Sequence, residues 1–282
     1  PFSVVVYGTP AEETEGGKII MIKHGDCFKD IDVALMMHGS GETTTDVKSM
    51  AMSKFDVIYH GKAAHSAIKP ELGRSSLDAM SLAFHGVECL REHVKEDTRI
   101  HYNIMDGGGT GANTVPAYTK SQFYVRSYNR AYLESVIERF IKVLNGAAMM
   151  TETEVEIIRS KDVDNKIPAL KLNDVIMDNA RAVNAPVIRP PRLKTGSTDL
   201  GNVMQLMPGS CIRVAFVPEG SPSHSQAYLD AGKTEKAHDA IVCGAKILAG
   251  TAADLIAVPG LLDSIKEEYE TNRARLLAEA GA

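Results

Sequence analysis

The sequence contains no tryptophan, and its four cysteines, Cys27, Cys89, Cys211 and Cys243, are scattered without a CxxC pair. This spacing argues against a disulfide framework and against a structural zinc site, because both need cysteines in clustered or paired positions. It favours free thiols in a reducing compartment. We therefore expect a cytoplasmic protein.

The chain also lacks an excess of positive charge, since 31 Lys and Arg stand against 36 Asp and Glu and give a formal net charge of −5. Such a chain has no global positive field to hold a phosphate backbone, so nucleic acid is not an expected partner. The first apolar run is too short to span a membrane and has no signal-peptide pattern, so no membrane partner is expected. The 282 residues, 44% of them hydrophobic, suffice for two globular domains.

The β-branched run over residues 3–7 predicts a buried strand, and the chain opens at Pro1 and runs straight into it. We therefore expect a truncated chain whose catalytic domain is incomplete at its N-terminal side. The Gly- and Pro-rich loop GTPAEETEGGK follows, and residues 18–24 are expected to form a short helix.

Alternating apolar residues over 31–37 predict a second strand, which delivers His38 at its C-terminal end. Sites in open α/β sheets form at the carboxyl ends of strands. Glu12, Glu13 and His38 all follow such ends, so they are candidate site residues.

The middle of the chain predicts six elements, two of them helices with apolar residues at helical spacing. The strands are expected at 54–60, 99–105, 119–127 and 153–159, and the helices at 75–93 and 132–148. The order β-α-β-β-α-β is that of a split βαβ sandwich. We place this inserted domain at residues 53–160, within an α/β sheet domain formed by residues 1–52 and 161–282. The outer domain is completed by helices at 170–183 and 234–257, a strand at 211–217 and a helix after Pro259.

The adjacent carboxylates of Glu12 and Glu13 suit one metal ligand beside one general base, because burying both is costly unless a cation or proton neutralises one. A solvated acidic turn or a Glu-rich helix N-terminus is the alternative interpretation. His38, His65 and His224 are each ordinary alone. No HExxH motif is present, so a zinc or manganese site would have to be assembled from distant segments.

Two other motifs are set aside. The glycines at 107–111 are followed by a strand and lack a GxxxxGK[ST] pattern, so a connector between antiparallel strands is favoured over a phosphate loop. Ser66, Ser223 and Ser225 lie near histidines, but no GxSxG elbow occurs, which disfavours an acyl-enzyme mechanism.

Several segments, in this order, resemble the zinc-dependent aminoacylase and carboxypeptidase-like metallopeptidase family. They are GTPAEETEGGK, DVALMMHG, FDVIYHGKAAHSAIKPELGRSSLDA, GGGTGANTVPAYTKSQFYVRS, GSTDLGNV and SPSHSQAY. They cover nearly the whole chain and are similar to the amidohydrolase branch, with p-aminobenzoyl-glutamate hydrolase, N-acyl-amino-acid hydrolases and β-alanyl-lysine dipeptidase. The resemblance implies a catalytic α/β domain with an inserted βαββαβ lid domain that forms a homodimer.

The resemblance also implies a role for each candidate residue. Glu12 would be the general base, and His65 would stabilise the oxyanion, commonly in the active site of a dimer partner. Asn113 and Arg126 would bind the substrate's carbonyl or carboxylate. The implied metal ligands are Glu13, His38 and His224. The implied cofactor is a pair of divalent ions, zinc or else manganese or cobalt, and the implied reaction is hydrolysis of an amide bond in a small N-acyl amino acid or dipeptide.

The family carries further metal ligands upstream of the acidic pair, and this sequence does not contain them. The alternative is therefore a catalytically silent fragment that acts as a dimerisation or carboxylate-binding module.

Overall fold

A computed structural model describes residues 2–280, so Pro1 lies outside the described residues. The chain divides into two compact units, residues 2–50 with 164–279 and residues 51–163. We call them unit 1 and unit 2 and describe each by itself. The predicted insertion, residues 53–160, lies within unit 2, and the functional labels catalytic domain and lid stay predictions.

Unit 1 contains three strands and six helices among its described residues. In chain order they are α1 (Gly17–His24), β1 (Ala34–Ser40), β2 (Thr44–Thr45), α4 (Leu170–Ala182), α5 (Leu200–Val203), β7 (Gly209–Ala215), α6 (Gln226–Ala231), α7 (Glu235–Ala257) and α8 (Leu261–Ala280). Unit 2 contains β3 (Ala51–His60), α2 (Ser76–Arg91), β4 (Arg99–Asp106), β5 (Tyr118–Ser127), α3 (Arg130–Thr151) and β6 (Glu154–Val163).

The sheet of unit 1 has the order β1-β7-β2, with β1 parallel and β2 antiparallel to β7. Helices α4 and α7 pack on this sheet, and the core between them includes Leu172, Ile176, Ile212 and Ile247. Among the described residues α7 alone is long and apolar enough to cross a membrane, by length and composition only. A core helix passes the same test, and α7 packs against β1 and β7.

The prediction of a buried strand at residues 3–7 is wrong for this structure. Residues 2–10 have no regular secondary structure, and Val4 and Val6 are 69% and 92% exposed. A strand needs a neighbour to accept and donate its backbone hydrogen bonds, and no described strand pairs with this segment. The β propensity of residues 3–7 indicates only that the segment can adopt an extended conformation, and it does not show that a neighbouring strand is present.

Two segments predicted as loops contain structure. Helices α5 and α6 lie in them, and residues 188–195 run beside residues 43–49 through three isolated parallel bridges. Pro190 and Pro191 have no backbone N–H, which is why this pairing remains a set of bridges and does not become a ladder.

The sheet of unit 2 has the order β4-β5-β3-β6, and all its pairs are antiparallel. Successive side chains along each strand alternate between the face that α2 and α3 cover and the opposite, open face. Phe55, Phe123 and Phe140 fill the covered side, with ring centroids 5.0 and 5.3 Å apart in the two pairs that include Phe140. The observed strands and helices follow the predicted order, as expected from the clear alternation of apolar and polar residues along the strands.

Candidate active site

The acidic pair lies on a tight loop that leads into α1. Residues 12–15 form a turn, and the backbone N–H of Gly16 donates to the carbonyl oxygen of Ala11 at 2.8 Å. A Cβ atom at Gly17 would lie 1.8 Å from the carbonyl oxygen of Pro10, so only glycine fits there. Glu12 is half-buried and Glu13 is exposed, so the two carboxylates have different surroundings.

A buried ion pair anchors this loop. The backbone N–H of Lys18 donates to Asp199 Oδ2 at 3.1 Å, and Lys18 Nζ donates to Asp199 Oδ1 at 2.8 Å. Both side chains are almost fully buried. Asp199 therefore fixes the first turn of α1, directly after the acidic pair. Sequence reasoning missed this contact, although GGK and GSTDLGNV were both singled out.

The structure brings Glu13 and His224 together, with His224 Nε2 3.9 Å from Glu13 Oε2. His224 lies in the loop before α6, with a φ of 58°. Two ligands of a tetrahedral zinc ion, each about 2.1 Å from the metal, are about 3.4 Å apart. The observed separation is close to that value, and a carboxylate with an imidazole suits zinc, manganese or cobalt.

His38 lies in β1 and is exposed. Its Nδ1 lies 2.6 Å from the carbonyl oxygen of Gly39, and the tautomer with the proton on Nδ1 would leave the Nε2 lone pair for a metal. Within residues 2–280 no group of three or more His, Cys, Asp or Glu side chains is close enough to hold a metal. His38 is therefore not assembled with Glu13 and His224 into one three-ligand site.

A buried charge network lies beside His38. Arg213 Nη1 is 3.3 Å from His38 Nδ1, while Arg213 Nε and Nη2 donate to the two carboxylate oxygens of Asp46 at 2.9 and 3.0 Å. Lys166 Nζ also donates to Asp46, at 2.8 Å. Burial by itself raises the pKa of Asp46, but Lys166 and Arg213 outweigh it and hold that pKa below its usual value. The network therefore keeps a charged carboxylate inside unit 1.

In unit 2 the structure brings His65 and Asn113 together. His65 bridges Thr114 in antiparallel fashion, and the backbone N–H of Ser66 donates to the carbonyl oxygen of Asn113 at 3.0 Å. His65 Nδ1 accepts from the backbone N–H of Ala67 at 3.2 Å. The Nε2 atom of the neutral ring then carries the proton, so it can donate a hydrogen bond to an oxyanion.

Arg126 lies on the open face of β5, far from this pair of loops. It is eight residues along the strand from Tyr118, where the loop containing Asn113 ends, and eight residues of strand span about 26 Å. The guanidinium carbon of Arg126 lies 5.6 Å from the ring centroid of Tyr124. Unit 2 therefore does not bring Arg126 to His65 and Asn113.

Comparisons with known proteins agree with this architecture. A family model described as the M20 peptidase dimerisation domain matches residues 48–150. A human Xaa-Arg dipeptidase is 34% identical over 96% of this chain and 62% of its own length. A p-aminobenzoyl-glutamate hydrolase subunit from Escherichia coli strain K12 is 28% identical over 95% of this chain and 67% of its own length.

Two crystal structures share the fold. An aminobenzoyl-glutamate utilization protein from Klebsiella pneumoniae has a TM-score of 0.60 and 23% identity, covering 80% of this chain and 55% of that one. A dinuclear metal-binding peptidase of the M20 family from Bacillus subtilis has a TM-score of 0.62 and 15% identity, covering 87% of this chain and 63% of that one.

The fold and these matches define the class: a peptidase-type α/β unit interrupted by a dimerisation-type unit. The chain is similar to peptidases and amidohydrolases of the M20 family, and it spans about three fifths of the length of the human relative. The resemblance predicted from the sequence motifs is confirmed.

Proposed function

We propose that this chain takes part in the metal-dependent hydrolysis of an amide bond in a small N-acyl amino acid or dipeptide. The observation that carries the proposal is the approach of His224 to Glu13, with Glu12 next in sequence on the anchored loop. The similarity to a dipeptidase and to a p-aminobenzoyl-glutamate hydrolase subunit supports it. The substrate class proposed here includes p-aminobenzoyl-glutamate-like and β-alanyl-dipeptide-like molecules.

In this proposal Glu12 takes a proton from the attacking water and delivers it to the leaving amine. Glu13 and His224 would hold a divalent metal, zinc or else manganese or cobalt, which would acidify the water and polarise the carbonyl. His38 stays a predicted further ligand that the structure does not bring to these two residues. His65 donates its Nε2 proton as a hydrogen bond to the oxyanion that forms in the transition state. Asn113 binds the carbonyl group, and Arg126 binds the substrate carboxylate with two parallel hydrogen bonds.

A homodimer is part of the proposal. Arg126 lies eight residues, or about 26 Å, along β5 from Tyr118, and the loops that carry His65 and Asn113 adjoin the Tyr118 end of the strand. A small dipeptide cannot span that distance, so one substrate would contact His65 of one copy and Arg126 of the other. The match of residues 48–150 to a dimerisation domain supports this assembly.

Mixing two inactive variants tests the dimer. His65→Ala and Arg126→Ala would each be inactive alone, but a random mixture would contain heterodimers in half of all dimers, each with one intact site. We expect about a quarter of wild-type turnover after subunit exchange. A mixture as inactive as its components would place both residues in a site formed by one copy.

The test of the chemistry is Glu12→Gln, with Glu15→Gln on the same turn as the matched control. Loss of the base is expected to lower kcat by about 10²–10⁴-fold while bound metal, measured by elemental analysis, is unchanged. Glu15→Gln should retain both. Substantial turnover in the Glu12 variant would contradict the assignment of the base.

A second candidate is a catalytically silent module that dimerises or binds carboxylates. It is favoured by the absence of a three-ligand metal group within residues 2–280. A folded dimer that binds N-acyl amino acids without metal and without turnover would support this second candidate. Stoichiometric metal together with hydrolysis would support the first.

We also propose a cytoplasmic location. All four cysteines are free in the structure, and free cysteines fit a reducing compartment.

A further inference from the structure

The open face of the unit 2 sheet carries two neighbouring rows that are rich in positive charge. In strand order β4, β5, β3, β6 the first row is Arg99, Arg126, Met52 and Val163, and the second is His101, Tyr124, Lys54 and Lys161. Neither row contains Asp or Glu. The charged members of these rows, Arg99, Arg126, Lys54 and Lys161, therefore lie together near the end of the sheet where β3 begins, while Met52 and Val163 are buried.

Arg126 and Tyr124 are two residues apart on one strand, so their side chains leave the same face of the sheet. The guanidinium carbon lies 5.6 Å from the centroid of the Tyr124 ring, within the range of a cation–π contact. Desolvation by burial lowers the pKa of Arg126 from its usual value, although the group stays charged at neutral pH. A partly desolvated cation gains more from an aromatic ring than a hydrated one does.

His101 lies directly opposite Tyr124 on β4. The two ring centroids are 6.0 Å apart and the rings are inclined at 62°, an edge-to-face arrangement. Burial lowers the pKa of His101, and the nearby charges of Arg126 and Arg91 lower it further. The imidazole is therefore neutral at neutral pH, so it packs against Tyr124 without repelling Arg126.

We propose that Tyr124 is a positioning residue that holds the Arg126 guanidinium for the substrate carboxylate, and that His101 holds the Tyr124 ring. This inference rests on the proposed function, in which Arg126 binds that carboxylate. A cation–π contact is made by the face of the ring and does not consume guanidinium N–H groups, and a carboxylate accepts two parallel hydrogen bonds from a pair of such groups.

The chain offers a matched control at the other end of the same face. Tyr118 on β5 lies opposite His60 on β3, with ring centroids 5.8 Å apart and a tilt of 60°. This second pair has the same two residue types and a similar geometry. Tyr118→Leu therefore removes the same side chain as Tyr124→Leu does, but at a position far along the strand from Arg126.

The experiment is side-chain NMR of the arginine Nε–Hε groups, with the Arg126 signal identified by its loss in Arg126→Lys. In the wild-type chain the Tyr124 ring current should shift this signal upfield. Tyr124→Phe should keep the shift, because the ring remains, and Tyr124→Leu should abolish it. His101→Leu should reduce it, which provides a second test if Tyr124→Leu fails to fold. Tyr118→Leu should leave it unchanged.

Hippurate, an N-acyl amino acid with one carboxylate, and its uncharged carboxamide are the binding probes. Hippurate should move the Arg126 signal and the carboxamide should not. Tyr124→Leu should weaken the Kd for hippurate about two- to fivefold, which is the effect of losing one cation–π contact, while Tyr124→Phe restores it. Equal Arg126 signals and equal affinities in Tyr124→Leu and Tyr118→Leu would overturn the inference, as would the absence of any hippurate shift in the wild-type chain.

Turnover is measured separately, so the two proposals fail in different ways. A chain that never hydrolyses amides, yet shows the ring-current shift and the hippurate response, contradicts the proposed function alone. A chain that hydrolyses N-acyl amino acids with the same KM in both leucine variants contradicts the positioning role alone. A selective rise in KM with unchanged kcat in Tyr124→Leu is the result expected when both hold.

Discussion

Replacing Asp46 by Asn is the sharpest test of what holds unit 1 together. The Asp46 side chain is fully buried, and its partners Lys166 and Arg213 are 3% and 16% exposed. The substitution preserves shape but removes the carboxylate that these two largely buried cations share. Breaking a buried ion pair by removing one partner costs about 3–5 kcal/mol, because the remaining charge is left uncompensated. We expect a loss of unfolding free energy of that size.

Hydrogen exchange with localised mass spectrometry measures this loss within unit 1. Strand β7 pairs with β1 and β2 and carries Arg213. At 1.36 kcal/mol per factor of ten, the protection of β7 peptides from exchange should fall by about a hundredfold to a few thousandfold in Asp46→Asn. Peptides from β5 in unit 2 serve as an internal reference. Asp178→Asn removes a carboxylate from an exposed pair with Arg181 and should leave protection of β7 nearly unchanged. Equal effects of the two variants would refute the reasoning.

The same residue predicts an acid dependence. Because the pKa of Asp46 is lower in the folded chain than in the unfolded chain, its contribution is fully present above the unfolded value near 3.9. That contribution is lost as the pH falls through the lower folded value. Asp46→Asn should therefore show a flatter decline in stability below about pH 4. An unchanged acid dependence in this variant would assign the acid sensitivity to other carboxylates.

Two further substitutions test the interior of unit 2. Tyr59→Phe removes a buried hydroxyl that donates to the carbonyl oxygen of Leu144 at 3.0 Å, and it should lower the unfolding free energy by about 1–3 kcal/mol, measured in urea. Ser75→Ala removes the N-cap oxygen that accepts from the backbone N–H of Asp78 at 3.1 Å, and it should cost about 1 kcal/mol with increased exchange in the first turn of α2. Ser75→Asp should restore the cap, and an Asp variant no more stable than the Ala variant would contradict the capping role.

Unit 2 could be predicted from the sequence because its signals are local. Alternation along β5 places Phe123 and Val125 on the covered face and Tyr124 on the open one, and each of these choices needs only neighbouring residues. The observed strand Tyr118–Ser127 begins one residue before the predicted one. The antiparallel pair of β4 and β5 then follows from their direct connection, whereas the pairing of β3 with β5 and β6 joins strands that other elements separate along the chain.

The candidate site of unit 1 could be predicted only in part, because its contacts join distant segments. Lys18 and Asp199 are separated by 181 positions, and Asp46 and Arg213 by 167. A single Lys followed much later by a single Asp forms no periodic pattern, so neither contact leaves a local signal. Glu13 and His224 entered the predicted ligand set through motif resemblance, and the structure adds that they approach each other.

The separation of Asn113 and Arg126 by the length of β5 shows how element prediction limits a residue-by-residue transfer of roles. The sequence places Asn113 before the predicted strand 119–127 and Arg126 near its end, and an extended strand of that length separates its two ends by more than about 20 Å. Matching sequence motifs assigns both residues to one substrate but gives no information on how far apart the two side chains lie. Strand geometry supplies the distance, and it is incompatible with a small substrate that contacts both residues of the same copy. The predicted strand and the predicted roles are compatible when a second copy supplies one of the two residues, as in the homodimer that we propose.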